Sequence, residues 1–385
     1  MSRLARVLFA VNDFPPLLGG ESALYHGLAR HLAADEAFFL APRLPGDSAF
    51  DRALPIKVFR RRIPDHGGSL SRVARSAAAA AHLLSLLATA RYRYLVCGQL
   101  LSLGIPMRLA ARLRGLPYAV FVHGADLLDY HDRPPWGRLA RWVIEGADAV
   151  VVNSRFTAGL VERLLPGAAR RVVVLPMGVE KPREPPPGKV AELRRRYRLD
   201  HGPVLLSVAR LVPSKGHDIV LTALPRLLAR HPDLRYLVVG SGPQRDTLAR
   251  LAAEQDVAEH VIFCGRVPAE DLPAHFRLAT LFVQLSRATG GYDGLEGFGL
   301  AFLEAASHGL PAIGGRSGGV PEAVQDGITG LLVPPLDIEA FAGAAERLLA
   351  DPAERDRMAE AARLWAVSHS WERSASVLRS VWSGD

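Results

Sequence analysis

Residues 287–310, RATGGYDGLEGFGLAFLEAASHGL, hold two carboxylates around a glycine-rich turn that opens a short helix. Gly290, Gly291, Gly294, Gly297 and Gly299 let the backbone take positive φ and come close to a ligand. The apolar run Leu300–Leu303 predicts a helix beginning near Phe298, and Gly309 followed by Pro311 predicts its end. A glycine-rich loop running into a helix N-terminus offers free N–H groups and the positive end of a dipole, which suits phosphate. Glu296 and Glu304 stand eight residues apart, so at about 100° per residue they do not share a helix face. Glu296 therefore precedes the helix and Glu304 lies about one turn inside it. Such a pair can reach opposite ends of one bound molecule. A capped surface helix with an acidic first turn would use similar letters, so the meaning of the segment depends on its surroundings.

Outward from this stretch, short apolar runs alternate with longer helical patterns, the signature of α/β layers. In the first half the expected strands are 6–11, 37–41, 94–97, 118–122, 149–152 and 172–175, with helices over 22–33, 69–90, 105–114 and 156–165. Residues 177–188 end in Glu184-Pro-Pro-Pro-Gly188, which neither a helix interior nor a central strand accepts. Strands resume at 204–209, 235–239, 261–263, 281–285, 312–313 and 330–333. The economical organisation is two doubly wound domains: 1–178, a linker region over 179–200, and 201–370. In open parallel sheets ligands sit at the carboxyl ends of strands, so the cleft between two such domains is the expected site.

At 385 residues the chain exceeds one ordinary core. Hydrophobic content of 49% with 22% charged residues fits a soluble globular enzyme. Cys97 and Cys264 lie far apart without a partner at metal-ligand spacing, which points to reduced thiols and a cytoplasmic protein. The N-terminus reads as a first strand rather than a leader, and no run approaches the ~20 apolar residues of a membrane span. The net charge of +8 sits in the first half, where residues 1–180 hold 23 Lys and Arg against 14 Asp and Glu. Lys57, Arg60, Arg61, Arg62, Arg72 and Arg75, then Arg91, Arg93, Arg108, Arg112 and Arg114, flank the alanine- and leucine-rich segment 69–90. Such a surface can attract anionic headgroups at the inner face of the cell membrane. A solvated basic surface is the plainer reading. Nucleic acid is not expected, since aromatic stacking platforms are missing.

The remaining chemistry-bearing residues each follow an expected strand. Asn12 and Asp13 lead to Gly19–Gly20 before a helix; the spacing is not G-x-G-x-x-G, so a dinucleotide fingerprint is unsupported. His123–Gly124 follows 118–122, with Asp126 placed either to orient the histidine or to cap the next helix. Arg210 and Lys215 follow 204–209, and two fixed cations there can stabilise the charge that a departing diphosphate gains. Gly265–Arg266–Val267 and Ser317–Gly318–Gly319 close further strands.

Taken in order, Gly19–Gly20, His123–Gly124, Arg210 with Lys215, Glu296-x7-Glu304 and Ser317–Gly318–Gly319 resemble the retaining glycosyltransferases of family 4, which have the two-domain GT-B fold. Residues 12–20, NDFPPLLGG, and 286–305, SRATGGYDGLEGFGLAFLEA, are most similar to the bacterial mannosyltransferases that act on phosphatidylinositol mannosides. The resemblance implies an N-terminal acceptor domain, joined by a crossover helix over about 371–385, and a C-terminal donor domain. It implies that Arg210 and Lys215 hold the donor diphosphate with the N–H groups of Phe298, Gly299 and Leu300. Glu304 would take the ribose hydroxyls, Val267 would lie beside the base, and Gly19–Gly20 would close over the diphosphate. Glu296 would face the transferred sugar and His123 its 6-hydroxyl. Asp13 and Asp126 are the acceptor-side candidates. The expected donor is GDP-mannose, with UDP-sugars next, and the expected acceptor a lipid-linked or glycan hydroxyl. No cofactor and no metal is expected, because no D-x-D pair is present to chelate one. A UDP-sugar enzyme with a soluble acceptor, and a nucleotide-sugar 2-epimerase on the same fold, are the alternatives.

Overall fold

The structure, a computed structural model, describes residues 6–17, 19–63, 68–199, 201–290 and 294–383, without the side chains of 68–72. Leu18 and Gly291 lie outside the described residues, as do the last two of the expected crossover helix and the Arg72 side chain. The chain divides into two compact units, Met1–Gly178 with Trp371–Asp385, and Val179–Ser370.

The first unit is built on seven parallel strands: β1 Val7–Ala10, β2 Ala37–Pro42, β3 Lys57–Arg61, β4 Tyr94–Cys97, β5 Tyr118–Val122, β6 Ala149–Val152 and β7 Val172–Val174. Their spatial order is β3-β2-β1-β4-β5-β6-β7. The second unit carries β8 Val204–Val208, β9 Arg235–Val239, β10 Val261–Gly265, β11 Leu281–Gln284, β12 Ala312–Gly315 and β13 Gly330–Val333, ordered β10-β9-β8-β11-β12-β13. Both are doubly wound Rossmann-like sheets. Central strands such as VLFA and YLVC are buried along their whole length, as a sheet covered by helices on both faces requires. Each order reverses once, between β1 and β4 and between β8 and β11. Loops diverge there, and a ligand can enter.

β3 has no counterpart among the expected strands. Its letters, KVFRR, read as a basic cluster, yet it pairs with β2 at the sheet edge. Arg60 is buried there: its guanidinium bonds Asp51 at 2.7 and 3.0 Å, donates to the carbonyls of Pro15 and Pro42, and stacks on Phe14. Arg75 is buried as well. Neither belongs to an exposed basic surface, which corrects the reading of that cluster. Within the region 179–200, the helix Lys189–Arg196 begins after Gly188 at φ +77 and buries Leu193.

The C-terminal helix Trp371–Ser383 lies in the first unit, against the helix Gly20–His31. Trp371 fits where Gly27 and Gly178 have no side chain; an added Cβ would approach its ring within 2.3 and 2.5 Å. Arg379 bonds buried Glu36 at 2.8 and 3.1 Å, and Ser374 donates to the Pro176 carbonyl. Trp382 sets its edge on Phe9, which stacks on Phe39 at 4.4 Å.

Candidate active site

In the first unit the polar residues gather at the sheet's reversal. Asn12 and Asp13 follow β1, Gly98 and Gln99 follow β4, and His123 follows β5. Gln99 is buried, and its amide has one orientation: Oε1 accepts the Asn12 N–H at 2.8 Å, while Nε2 donates to Glu21 at 2.9 Å and Asp13 at 3.2 Å. Asp13 and Glu21 also share a hydrogen bond between their carboxyls. Burial, then the Glu21 charge, push the Asp13 carboxyl up to about 7. The helix Gly20–His31 brings in Glu21 and Tyr25, and its cap Gly19 stands at φ +150 with open space around it.

Asp126, in the first turn of the helix Ala125–His131, holds backbone rather than the His123 ring. Its Oδ1 accepts the N–H groups of His123, Gly124 and Leu127 at 3.0, 2.9 and 2.8 Å. Burial raises its carboxyl to about 6, and Oδ2 is buried without a partner among the described residues. The His123 ring instead meets Tyr25 and Gly98. Burial disfavours its charged form, but Glu21 and Asp126 outweigh burial and the ring's pKa is raised.

In the second unit the loop after β8 carries Arg210, Lys215 and Gly216. Gly240 and Gly242 lie directly against it: a Cβ on either would meet the Ala209 or Leu211 carbonyl at 1.9 and 2.4 Å. Under the loop, buried His217 bonds the Tyr236 hydroxyl at 3.0 Å, and Ser207 meets the same hydroxyl at 2.8 Å. Burial pushes His217 down to about 4, so it is neutral and structural. Lys215 reaches Glu296. Gln284 and Ser286, which sequence reasoning missed, hold the same carboxylate. Only their position at the end of β11 could have revealed them.

The helix predicted to start near Phe298 begins two residues later, at Leu300–Ser307, because Gly299 stands at φ +102 as its cap and Phe298 is buried. The N–H groups of Phe298, Gly299 and Leu300 have no acceptor among the described residues. Gly318 and Gly319 press on the backbone of Glu296 and Gly297, and the Gly319 N–H bonds the Glu296 carbonyl at 2.9 Å. The glycine loop after β12 thus fixes the backbone that carries Glu296. The Glu304 carboxylate has no hydrogen-bond partner among the described residues, and burial raises it to about 7. Val267 is half-buried after β10, and Arg266 bonds Ser241 at 2.9 Å. The structure therefore gathers Arg210, Lys215, Glu296, Phe298, Gly299, Leu300 and Glu304 around one sheet reversal, and Asp13, Gly19, Gly20, His123 and Asp126 around the other.

Comparison with known proteins follows the same division. Residues 190–365 match the family model described as glycosyl transferases group 1, and residues 19–178 that of a glycosyl transferase 4-like domain. The GDP-mannose-dependent alpha-(1-6)-phosphatidylinositol monomannoside mannosyltransferase of Mycolicibacterium smegmatis is 33% identical over 381 residues, 98% of each chain. A D-inositol 3-phosphate glycosyltransferase of Acidothermus cellulolyticus is 35% identical over 250 residues, 62% of this chain and 54% of the other. Among solved structures, Anabaena HepE in complex with UDP and glucose superposes with a TM-score of 0.80 at 20% identity, over 98% of this chain and 99% of that one. WaaG, a glycosyltransferase involved in lipopolysaccharide biosynthesis, gives 0.71 at 17% identity, over 98% and 100%.

Proposed function

This chain belongs to the group 1 glycosyltransferases and has their GT-B fold, and we propose that it moves mannose from GDP-mannose to a hydroxyl of a lipid-linked or glycan acceptor. The observation that carries this reading is the end-to-end match, at 33% identity, to enzymes named for that donor. In the second unit, Arg210 and Lys215 with the N–H groups of Phe298, Gly299 and Leu300 bind the diphosphate. Glu304 accepts from the ribose hydroxyls, Val267 lies beside the base, and Glu296 faces the sugar. In the first unit, Gly19–Gly20 approach the diphosphate, His123 meets the sugar's 6-hydroxyl, and Asp13 with Asp126 serves the acceptor side.

Transfer proceeds with retention. The bond from the sugar's anomeric carbon to the diphosphate breaks, and a bond to the acceptor oxygen forms on the same face. The acceptor's proton passes to the departing phosphate oxygen. The charge that develops there falls on two fixed cations and a helix N-terminus, which is why this reading needs no divalent cation.

A thermal-shift series with GDP, UDP, ADP and CMP, without metal, tests the donor site. Stabilisation by GDP alone is expected, and stabilisation by none of them rejects the site. Turnover of GDP-mannose should survive EDTA, and its complete loss would overturn metal independence. A UDP-linked donor with a soluble acceptor is the second reading; the relative named for D-inositol 3-phosphate favours its acceptor half. Product formed from a UDP-sugar without acceptor would instead support the 2-epimerase.

Peripheral contact with anionic membrane is part of the proposal. The helices Gly68–Thr89 and Gly104–Arg114 leave Val73, Leu84, Leu109 and Leu113 exposed, with Arg112 and Arg114 beside them and Arg91 and Arg93 following. Leu113, at 72% exposure, is the largest departure from burial among these. No helix among the described residues is long and apolar enough to cross a membrane. The protein should float with vesicles containing phosphatidylglycerol and not with pure phosphatidylcholine, and Leu113→Ser with Arg112→Glu should abolish flotation.

A further inference from the structure

The ring of His123 is held by one nitrogen. Nε2 lies 2.9 Å from the Tyr25 hydroxyl, 3.1 Å from the Gly98 carbonyl and 3.7 Å from Glu21 Oε2. Tyr25 donates its own proton to the same Gly98 carbonyl at 2.6 Å, so toward His123 its oxygen is an acceptor. Nε2 thus faces three acceptors and no donor, and only an N–H there satisfies them. Nδ1 has no partner among the described residues, while the residue keeps 9% exposure.

The partners are themselves fixed. Glu21 is held by Gln99 Nε2 at 2.9 Å, and Gln99 is anchored through its other end to the Asn12 N–H. Gly98 leaves room for the hydroxyl, since a Cβ there would come within 3.0 Å of the Tyr25 oxygen. The ring lies edge-on to Tyr25 and roughly parallel to Phe121, which bars it from flipping freely.

We propose that Glu21 and Tyr25 are positioning residues that lock His123 in its Nε2–H form and leave Nδ1 as the ring atom that meets the ligand. Naming that ligand as a sugar hydroxyl rests on the function proposed above; the locked tautomer does not. The neutral ring offers Nδ1 as an acceptor for the hydroxyl's hydrogen, and the protonated ring offers an N–H to the hydroxyl oxygen. Glu21, Asp126 and Asp13 all favour the protonated ring, against its burial. Arg75 acts on Asp13 from the helix Gly68–Thr89, and burial keeps the Cys97 thiol neutral.

The test uses the full-length protein labelled with 15N-histidine, with the His123 signals identified by their loss in His123→Gln. Above its titration the ring should show the Nε2–H pattern, and an Nδ1–H pattern overturns the proposal without any variant of the neighbours. In Glu21→Gln the midpoint should fall by about one pH unit, and an unchanged midpoint removes Glu21 from the role. In Tyr25→Phe, kcat with GDP-mannose should fall roughly tenfold with KM within about twofold. Equal changes in both would reject positioning by Tyr25. If the wild type turns over no nucleotide sugar, the proposed function fails while the tautomer measurement still decides this inference.

Discussion

Lys215 Nζ lies 2.5 Å from Glu296 Oε2, and that single oxygen also takes Gln284 Nε2 at 3.0 Å and Ser286 Oγ at 3.3 Å. Three donors on one oxygen fix the carboxylate and leave Oε1 to other partners. The donors come from the loop after β8, from the last residue of β11 and from the loop after it; the two strands are neighbours in the sheet, so the strand order delivers all three.

Gln284 is a neutral amide in that group and is 2% exposed. Gln284→Leu keeps the volume and removes a donor to a charged acceptor, a loss of about 1.5–3 kcal/mol. On the proposed reading, kcat falls roughly ten- to hundredfold while the Kd for GDP stays within a factor of about two. Steady-state kinetics beside calorimetric GDP binding checks the split. A parallel loss of GDP affinity would mean that Gln284 supports the nucleotide site instead.

Arg210 makes the complementary prediction. It is exposed on the loop that Gly240 and Gly242 back, so its removal leaves the fold intact. Arg210→Ala should abolish transfer and weaken GDP binding by about tenfold or more, the cost of one charge-assisted contact. Unchanged GDP binding by the folded variant would sink the diphosphate assignment.

Glu304 couples function to pH. Burial raises its carboxyl from 4.5 to about 7, so the folded protein binds the extra proton between those values. Stability due to this group is then full at low pH and is lost as pH rises toward 7. Glu304→Gln should therefore stabilise the protein by roughly 1–3 kcal/mol at pH 8 and by about nothing at pH 4. Thermal melts at the two pH values check the sign, and the variant should at the same time bind GDP-mannose more weakly. A larger gain at pH 4 would contradict the assignment.

Much of this architecture was legible in the letters, because a strand covered on both faces is an unbroken apolar run and the loop after it begins at once. His123 and Arg210 announce themselves by standing directly after such runs, Lys215 by sharing Arg210's loop, and Glu296 by the glycine-rich turn around it. β3 did not, because an edge strand tolerates charge, and Arg60 is paired only by residues distant in sequence. Gln99, Tyr25, Gln284 and Ser286 were also illegible. Each acquires its role only when the sheet reversal sets one loop beside another, and the sequence carries no local trace of strand order. Even the helix cap shifted by two residues for such a reason, since Phe298 is drawn into the core and Gly299 takes the turn.

The C-terminal helix offers a test whose sign separates local from tertiary effects. Gly27 lies inside the helix Gly20–His31, where replacing glycine with alanine ordinarily stabilises by about 0.5–1 kcal/mol. Here the new methyl would come within 2.3 Å of the Trp371 ring, which is buried between Gly27 and Gly178. Overpacking of that kind costs about 1–3 kcal/mol and exceeds the helical gain. Gly27→Ala should therefore lower the unfolding midpoint, while Gly27→Ala combined with Trp371→Ala should be more stable than Trp371→Ala alone. Denaturant melts of the four proteins form a double-mutant cycle. Additive effects would show that the helix Trp371–Ser383 does not rest on the first unit through this contact.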